Sequence, residues 1–108
     1  LGDVSNAVQR KAEEAGFSVV RDFVGHGIGR SMHQDPQIPN YGIRGEGVRL
    51  QKGMVFALEP MINAGTHEVK ILDDGWTVVT KDAKPSAHFE KMVAVGEKEP
   101  VLLSTIVY

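Results

Sequence analysis

The spacing of apolar and polar positions changes several times along the chain, and each change marks a new element. From Leu1 to Ala15, the residues Val4, Ala7, Val8, Lys11, Ala12 and Ala15 fall near one face at helical spacing, with Gln9, Arg10, Glu13 and Glu14 largely opposite. That pattern predicts a helix, and Gly16 is a natural stop. Phe17 to Asp22 alternates weakly and is rich in Val, which predicts a strand. Gly25-His26-Gly27-Ile28-Gly29 fits no regular element and is expected to be flexible or tightly turned, where backbone and ligand can approach closely. Arg30 to Gln51 is expected to be a long irregular connection, because Pro36, Pro39, Gly42, Gly45 and Gly47 interrupt any helix or strand. Loops of that length are usually functional or disordered.

Beyond Gly53, Met54 to Glu59 is predicted as a strand closed by Pro60. A hairpin follows, with strands Glu68 to Leu72 and Trp76 to Thr80 about the turn Asp73-Asp74-Gly75. Lys81 to Ser86 is a polar loop, His88 to Val95 another alternating strand, and Val101 to Val107 a last one. One helix followed by several antiparallel strands makes the expected class α+β. No internal repeat, low-complexity tract or interdomain linker is visible.

Composition narrows the function classes. The 108 residues amount to about one small domain, and 42% apolar content supports a modest core. A net charge of −2 gives no general electrostatic reason to bind nucleic acid or an anionic membrane. No apolar run approaches the roughly 20 residues of a membrane span, and no signal-like segment opens the chain. The absence of cysteine excludes disulfides and thiolate metal sites and fits a cytosolic protein. Any metal must then be held by His, Asp and Glu, which favours Zn, Mn, Fe or Co. The chain begins at Leu1 rather than Met, so it is expected to be processed or truncated.

Candidate chemistry rests on a few residues. Glu59 ends the apolar run Met54 to Leu58; it either emerges into water or acts as a metal ligand or general acid/base on a rigid strand. Alternation places His88, Glu90, Met92 and Ala94 on one strand face. If Met92 and Ala94 face the core, Glu90 must be paired or bound to a cation; a solvated face is the alternative. His26 lies between glycines in a run that is neither G-x-G-x-x-G nor a P-loop, so a phosphate cradle fits poorly. His33 follows seven residues later, which is not the spacing of a helical zinc pair. His67 reads as a surface residue, and His88 as a partner that orients Glu90 or as part of the same exposed face. Trp76 is a half-buried hairpin aromatic or the wall of an apolar substrate pocket. The residues alone suggest an oxygen-rich metal site in an antiparallel sheet and do not choose a substrate.

The local sequences together are more specific. Gly25-His26-Gly27-Ile28-Gly29-Arg30, His33, Asp35-Pro36-Gln37, Gly53-Met54, Glu59-Pro60-Met61, Asp74-Gly75-Trp76-Thr77 and His88-Phe89-Glu90 occur in this order. From Leu1 to about Val95 the chain resembles the second half of type I methionine aminopeptidases. That resemblance implies half of a pita-bread fold, in which two similar α+β halves enclose a dinuclear metal site. It implies His26, Glu59 and Glu90 as metal ligands, with Glu90 bridging two divalent ions (Co, Mn, Fe or Zn). It also implies Glu59 as a proton-transfer group, and His33 as a catalytic residue that contacts the scissile peptide. Trp76 and Met32 are implied near the methionine side-chain pocket, Met32 at a position where the family is often aromatic.

The implied reaction is metal-assisted hydrolysis that removes the initiator methionine from nascent polypeptides in the cytoplasm, with the ribosome as a possible partner. A proline-specific aminopeptidase or prolidase relative is the nearest alternative, and a non-catalytic binding module on the same fold is a second. The family draws two aspartate ligands from its first half, and no part of this chain matches that half. The family usually has His-Thr after the bridging glutamate, where this chain has Lys91-Met92. The 108 residues are therefore expected to be the C-terminal half of a catalytic domain, inactive alone, with an apolar face toward the missing N-terminal half.

Overall fold

The structure is a computed structural model and describes residues 1–104. Helix α1, Gly2–Glu14, agrees with the helical periodicity to within one residue at each end. It buries Ser5 and Ala12, and Asp3 lies in its first turn with Lys11 in its last, as the helix dipole favours. Gly16, at φ 86°, turns the chain out of the helix.

Among the described residues ten strands follow: β1 Ser18–Val19, β2 Gly25–Ile28, β3 Gln34–Ile38, β4 Val55–Leu58, β5 Met61–Asn63, β6 Val69–Ile71, β7 Val78–Thr80, β8 Ser86–His88, β9 Lys91–Ala94 and β10 Val101–Leu102. They form a five-stranded sheet in the order β10-β9-β4-β2-β3, a three-stranded sheet β1-β5-β8, and the hairpin β6-β7. Every pairing is antiparallel. The class is the expected α+β. The small core comprises Ala12, Val19, Val20, Ile38, Phe56 and Ala57, and α1 packs on β1. Among the described residues no helix is long and apolar enough to cross a membrane.

Four expectations need correction. The Gly25 to Gly29 run is not irregular: Gly25–Ile28 is strand β2, paired on both sides with β3 and β4. Its buried Gly25 and Gly27 leave no room for side chains; a Cβ at Gly25 would drive into the Ala57 carbonyl oxygen. The Arg30 to Gln51 segment is not wholly irregular, since Gln34–Ile38 forms β3 at the sheet edge. Pro36 falls where the β2–β3 register skips from Gln37 to Gln34, and an edge strand accepts proline at such an irregularity. The rest of that segment is tied to α1: Asn6 Nδ2 donates to the Gly42 carbonyl at 2.9 Å, and Gly42 N–H donates to Gln9 Oε1 at 3.1 Å.

The strand expected at Phe17 to Asp22 contracts to Ser18–Val19. The strand expected from His88 to Val95 divides into β8 and β9, which lie in different sheets and leave Phe89 and Glu90 between them. The last predicted strand is present as Val101–Leu102, and its expected continuation past residue 104 lies outside the described residues.

The predicted hairpin is present as β6 and β7 about Asp73-Asp74-Gly75. Asp74 organises the turn: Trp76 N–H donates to Oδ1 at 2.9 Å, Thr77 N–H donates to Oδ1 at 2.8 Å, and the Thr77 hydroxyl donates to Oδ2. The Thr77 hydroxyl, then the Thr77 and Trp76 amides, hold the Asp74 carboxyl below its ordinary 3.8.

Two outcomes test this packing. Gly25→Ala meets fixed backbone and should lower stability by about 1–3 kcal/mol. Gly29→Ala meets only the movable Gln34 side-chain amide and should cost under about 1 kcal/mol. Urea unfolding of both variants would show equal losses if the close approach at Gly25 is unimportant. The second outcome concerns acid. A carboxylate depressed by folding contributes stability that is complete above its unfolded value and is lost as pH falls through the lower folded value. Thr77→Val removes the largest cause of the depression, so the turn should open at a higher pH than in the wild type. Fluorescence of Trp76, the sole tryptophan, should follow that upward displacement.

Candidate metal centre

Two segments pass from one sheet to the other side by side. One runs from β4 through Glu59-Pro60 into β5, and the other from β8 through Phe89-Glu90 into β9. Leu58 pairs with Lys91 on one side of this junction and Met61 with His88 on the other. The register is the same on both sides, so Glu59 and Glu90 face each other across the junction. Phe89 N–H donates to the Pro60 carbonyl at 3.3 Å and clamps the crossing. The sheet change places both carboxylates where the regular ladder is interrupted.

His26 arrives from β2, which pairs it with Ala57, two residues before Glu59 on β4. A register shift in the β2–β3 pairing falls between His26 and Gly27, and such bulges re-aim a side chain. The His26 imidazole has Nδ1 3.0 Å from the Gly27 carbonyl oxygen. With Nδ1–H donating there, Nε2 is directed toward the carboxylates. Nε2 lies 2.9 Å from Glu59 Oε2, and the two side chains are 14% and 16% exposed. One ligand atom from each of His26, Glu59 and Glu90 lies within 4.8 Å of the others. Asn40 Nδ2 donates to the Glu59 backbone carbonyl at 3.3 Å and helps fix the strand end.

The other candidates are distributed around this cluster. The His33 ring lies 3.9 Å from that of His26, tilted by 32°. Trp76 is 88% exposed and lines a groove of about 630 Å³ with Phe23, Met61, Ile71 and His88. Met32 is 74% exposed and is not part of the wall of that groove. His67 is half-buried rather than a plain surface residue, and its enclosed Nδ1 has no hydrogen-bond partner among the described residues. His88 was read as orienting Glu90 or as part of an exposed face; it is exposed, and its Nε2 lies 3.7 Å from Glu59 Oε1. Sequence alternation could not reveal this contact, because it arises from the Met61–His88 register on the far side of the sheet junction.

The donor set suits a divalent cation. Two carboxylates facing each other repel when both are ionised; Glu90 is exposed, as the solvated-face alternative has it, whereas Glu59 is largely buried, and burying its charge is costly unless it is paired. A cation among one imidazole nitrogen and two carboxylate oxygens relieves that repulsion, and nitrogen and oxygen ligands match borderline and hard divalent ions.

Comparison with known proteins adds lineage to this geometry. The chain is 58% identical over 106 residues to a methionine aminopeptidase of Clostridium perfringens, covering 98% of this chain and 43% of that protein. It is 55% identical over 97 residues to methionine aminopeptidase 1 of Bacillus subtilis, covering 90% and 39% respectively. Among solved structures, methionine aminopeptidase from Thermotoga maritima superimposes with a TM-score of 0.92 at 51% identity, covering 94% of this chain and 41% of that one. The Rickettsia prowazekii enzyme gives 0.90 at 47%, with the same coverages. The chain thus spans about two-fifths of the length of these relatives and has the pita-bread architecture over that span. Residues 1–97 match metallopeptidase family M24, and the chain belongs to that family.

Proposed function

We propose that this chain is the C-terminal half of the catalytic domain of a methionine aminopeptidase, which removes the initiator methionine from nascent polypeptides. The observation that carries the proposal is the convergence of His26, Glu59 and Glu90 within 4.8 Å, with the His33 ring against His26. His26, Glu59 and Glu90 would hold the divalent metal, two ions of Co, Mn, Fe or Zn in the complete enzyme. Divalent ions bound there supply Lewis acidity that brings the pKa of water toward neutrality and polarises a peptide carbonyl.

The chain's own residues have separable tasks. Glu59, 16% exposed and held at the strand end by Asn40, accepts a proton from the attacking water and passes it to the departing amine. His33, on the exposed side of His26, donates a hydrogen bond to the carbonyl oxygen as negative charge develops on it. The groove lined by Trp76, Phe23 and Met61 takes the flexible apolar methionine side chain. Trp76 supplies an open wall that a substrate or further polypeptide can cover. Met32, adjacent to His33 in the chain, would border the substrate without forming that groove.

Three donors fall short of a closed two-ion site. The remaining ligands are proposed to come from polypeptide outside these 108 residues, in keeping with the two-fifths coverage of the relatives. Exposed Met32, Trp76 and Phe89 are consistent with a surface completed by that polypeptide. The cytoplasm, with the ribosome as the source of substrate, is the proposed setting.

The test compares peptides beginning Met-Ala with peptides beginning Ala-Pro, using the natural full-length protein. Preferential hydrolysis of Met-Ala supports the proposal; preferential hydrolysis of Ala-Pro would move the chain to a proline-specific relative, and no hydrolysis of either to a binding module. His33→Ala should lower kcat about 100-fold with metal content unchanged, whereas His26→Ala should lose metal and activity together. The 108-residue chain alone should not turn over Met-Ala peptides in added Co or Mn, checked by release of free methionine.

A further inference from the structure

Glu59 is approached by two imidazoles, one at each carboxylate oxygen. His26 Nε2 lies 2.9 Å from Oε2, and His88 Nε2 lies 3.7 Å from Oε1. The proposed metal site uses the first of these and leaves the second without a role.

The placement of His88 follows from the sheet junction. Its strand β8 pairs with β5 through Met61 opposite His88, while Phe89 N–H binds the Pro60 carbonyl. The His88 backbone is therefore anchored to the same short segment that carries Glu59. His88 is 44% exposed and also lines the groove that contains Trp76. It stands between the carboxylate and the groove, with only one ring nitrogen turned to Glu59 at this reach.

We infer that His88 is a positioning residue for Glu59, holding Oε1 so that Oε2 stays directed at the metal and at His26. This deepens the metal-site reading and rests on it. A carboxylate on a single strand end can rotate about its side-chain torsions, and each free rotamer dilutes the ligand-competent one. A donor on the far oxygen removes that freedom, as outer partners of metal ligands do generally. At 3.7 Å, His88 Nε2 lies within electrostatic reach of Oε1 but beyond hydrogen-bond length. His88 belongs to no direct ligand set, since only His26, Glu59 and Glu90 group within mutual reach among the described residues.

The test uses the natural full-length protein and its His88→Ala and His88→Gln variants. Cobalt(II) binding is read by calorimetry and by the visible absorption of the bound ion, and thermal unfolding is read in parallel. Glutamine can present an N–H at a reach similar to Nε2. Expected is a cobalt affinity about 10-fold weaker in His88→Ala, with an altered visible band and unchanged metal-free melting temperature. His88→Gln should recover most of both. With a Met-Ala peptide at saturating metal, kcat should fall in His88→Ala more than KM changes.

Affinity and band unchanged in His88→Ala would overturn the inference, as would equal losses in the alanine and glutamine variants. A melting temperature that falls with affinity in His88→Ala and is not restored by glutamine also overturns it, in favour of a packing role. Failure of the wild-type protein to bind cobalt at all would instead remove the metal site itself, so the two failures are distinguishable.

Discussion

The structure turns on two carboxylates held opposite each other where two strands change sheets together. Glu59 and Glu90 occupy facing positions because the β4–β9 and β5–β8 pairings share one register. Ionised carboxylates in that arrangement repel, and Glu59 is largely buried, so the fold tolerates them best with positive charge between them. A metal cation fits that space and compensates both carboxylates. The bulge at His26, the clamp between Phe89 and Pro60, and the Asn40 contact to the Glu59 backbone all keep that space in place.

Parts of this arrangement were legible in the chain. Helix α1 and the β6–β7 hairpin carry local signals: a 3.6-residue period stopped by Gly16, and Asp74-Gly75 between β-rich runs. Strand β2 was hidden because its glycines look like turn residues. Their small size is instead required by neighbouring backbone, as the Ala57 carbonyl beside Gly25 demonstrates. Strand β3 was hidden by Pro36, which an edge position accommodates. These were failures of local reading against tertiary context.

The site was legible in a different way. No single residue among His26, Glu59 and Glu90 distinguishes a ligand from a solvated side chain, and only the set of local sequences pointed to one centre. The division of the expected His88 to Val95 strand was invisible because apolar alternation continues through Glu90 while the pairing partner changes from β5 to β4. That change is what turns His88 toward Glu59. A contact defined by the pairing of two strands in one sheet, acting on a residue beyond the sheet boundary, leaves no periodic trace in either segment.

Where a cation binds decides whether these three side chains form a metal centre. Crystals of the natural full-length protein soaked in Mn(II), with anomalous difference density collected near the manganese edge, measure this directly. The predicted result is a peak with His26 Nε2 and oxygens of Glu59 and Glu90 at about 2.0–2.3 Å. Manganese bound elsewhere, with these three side chains turned apart, would contradict it.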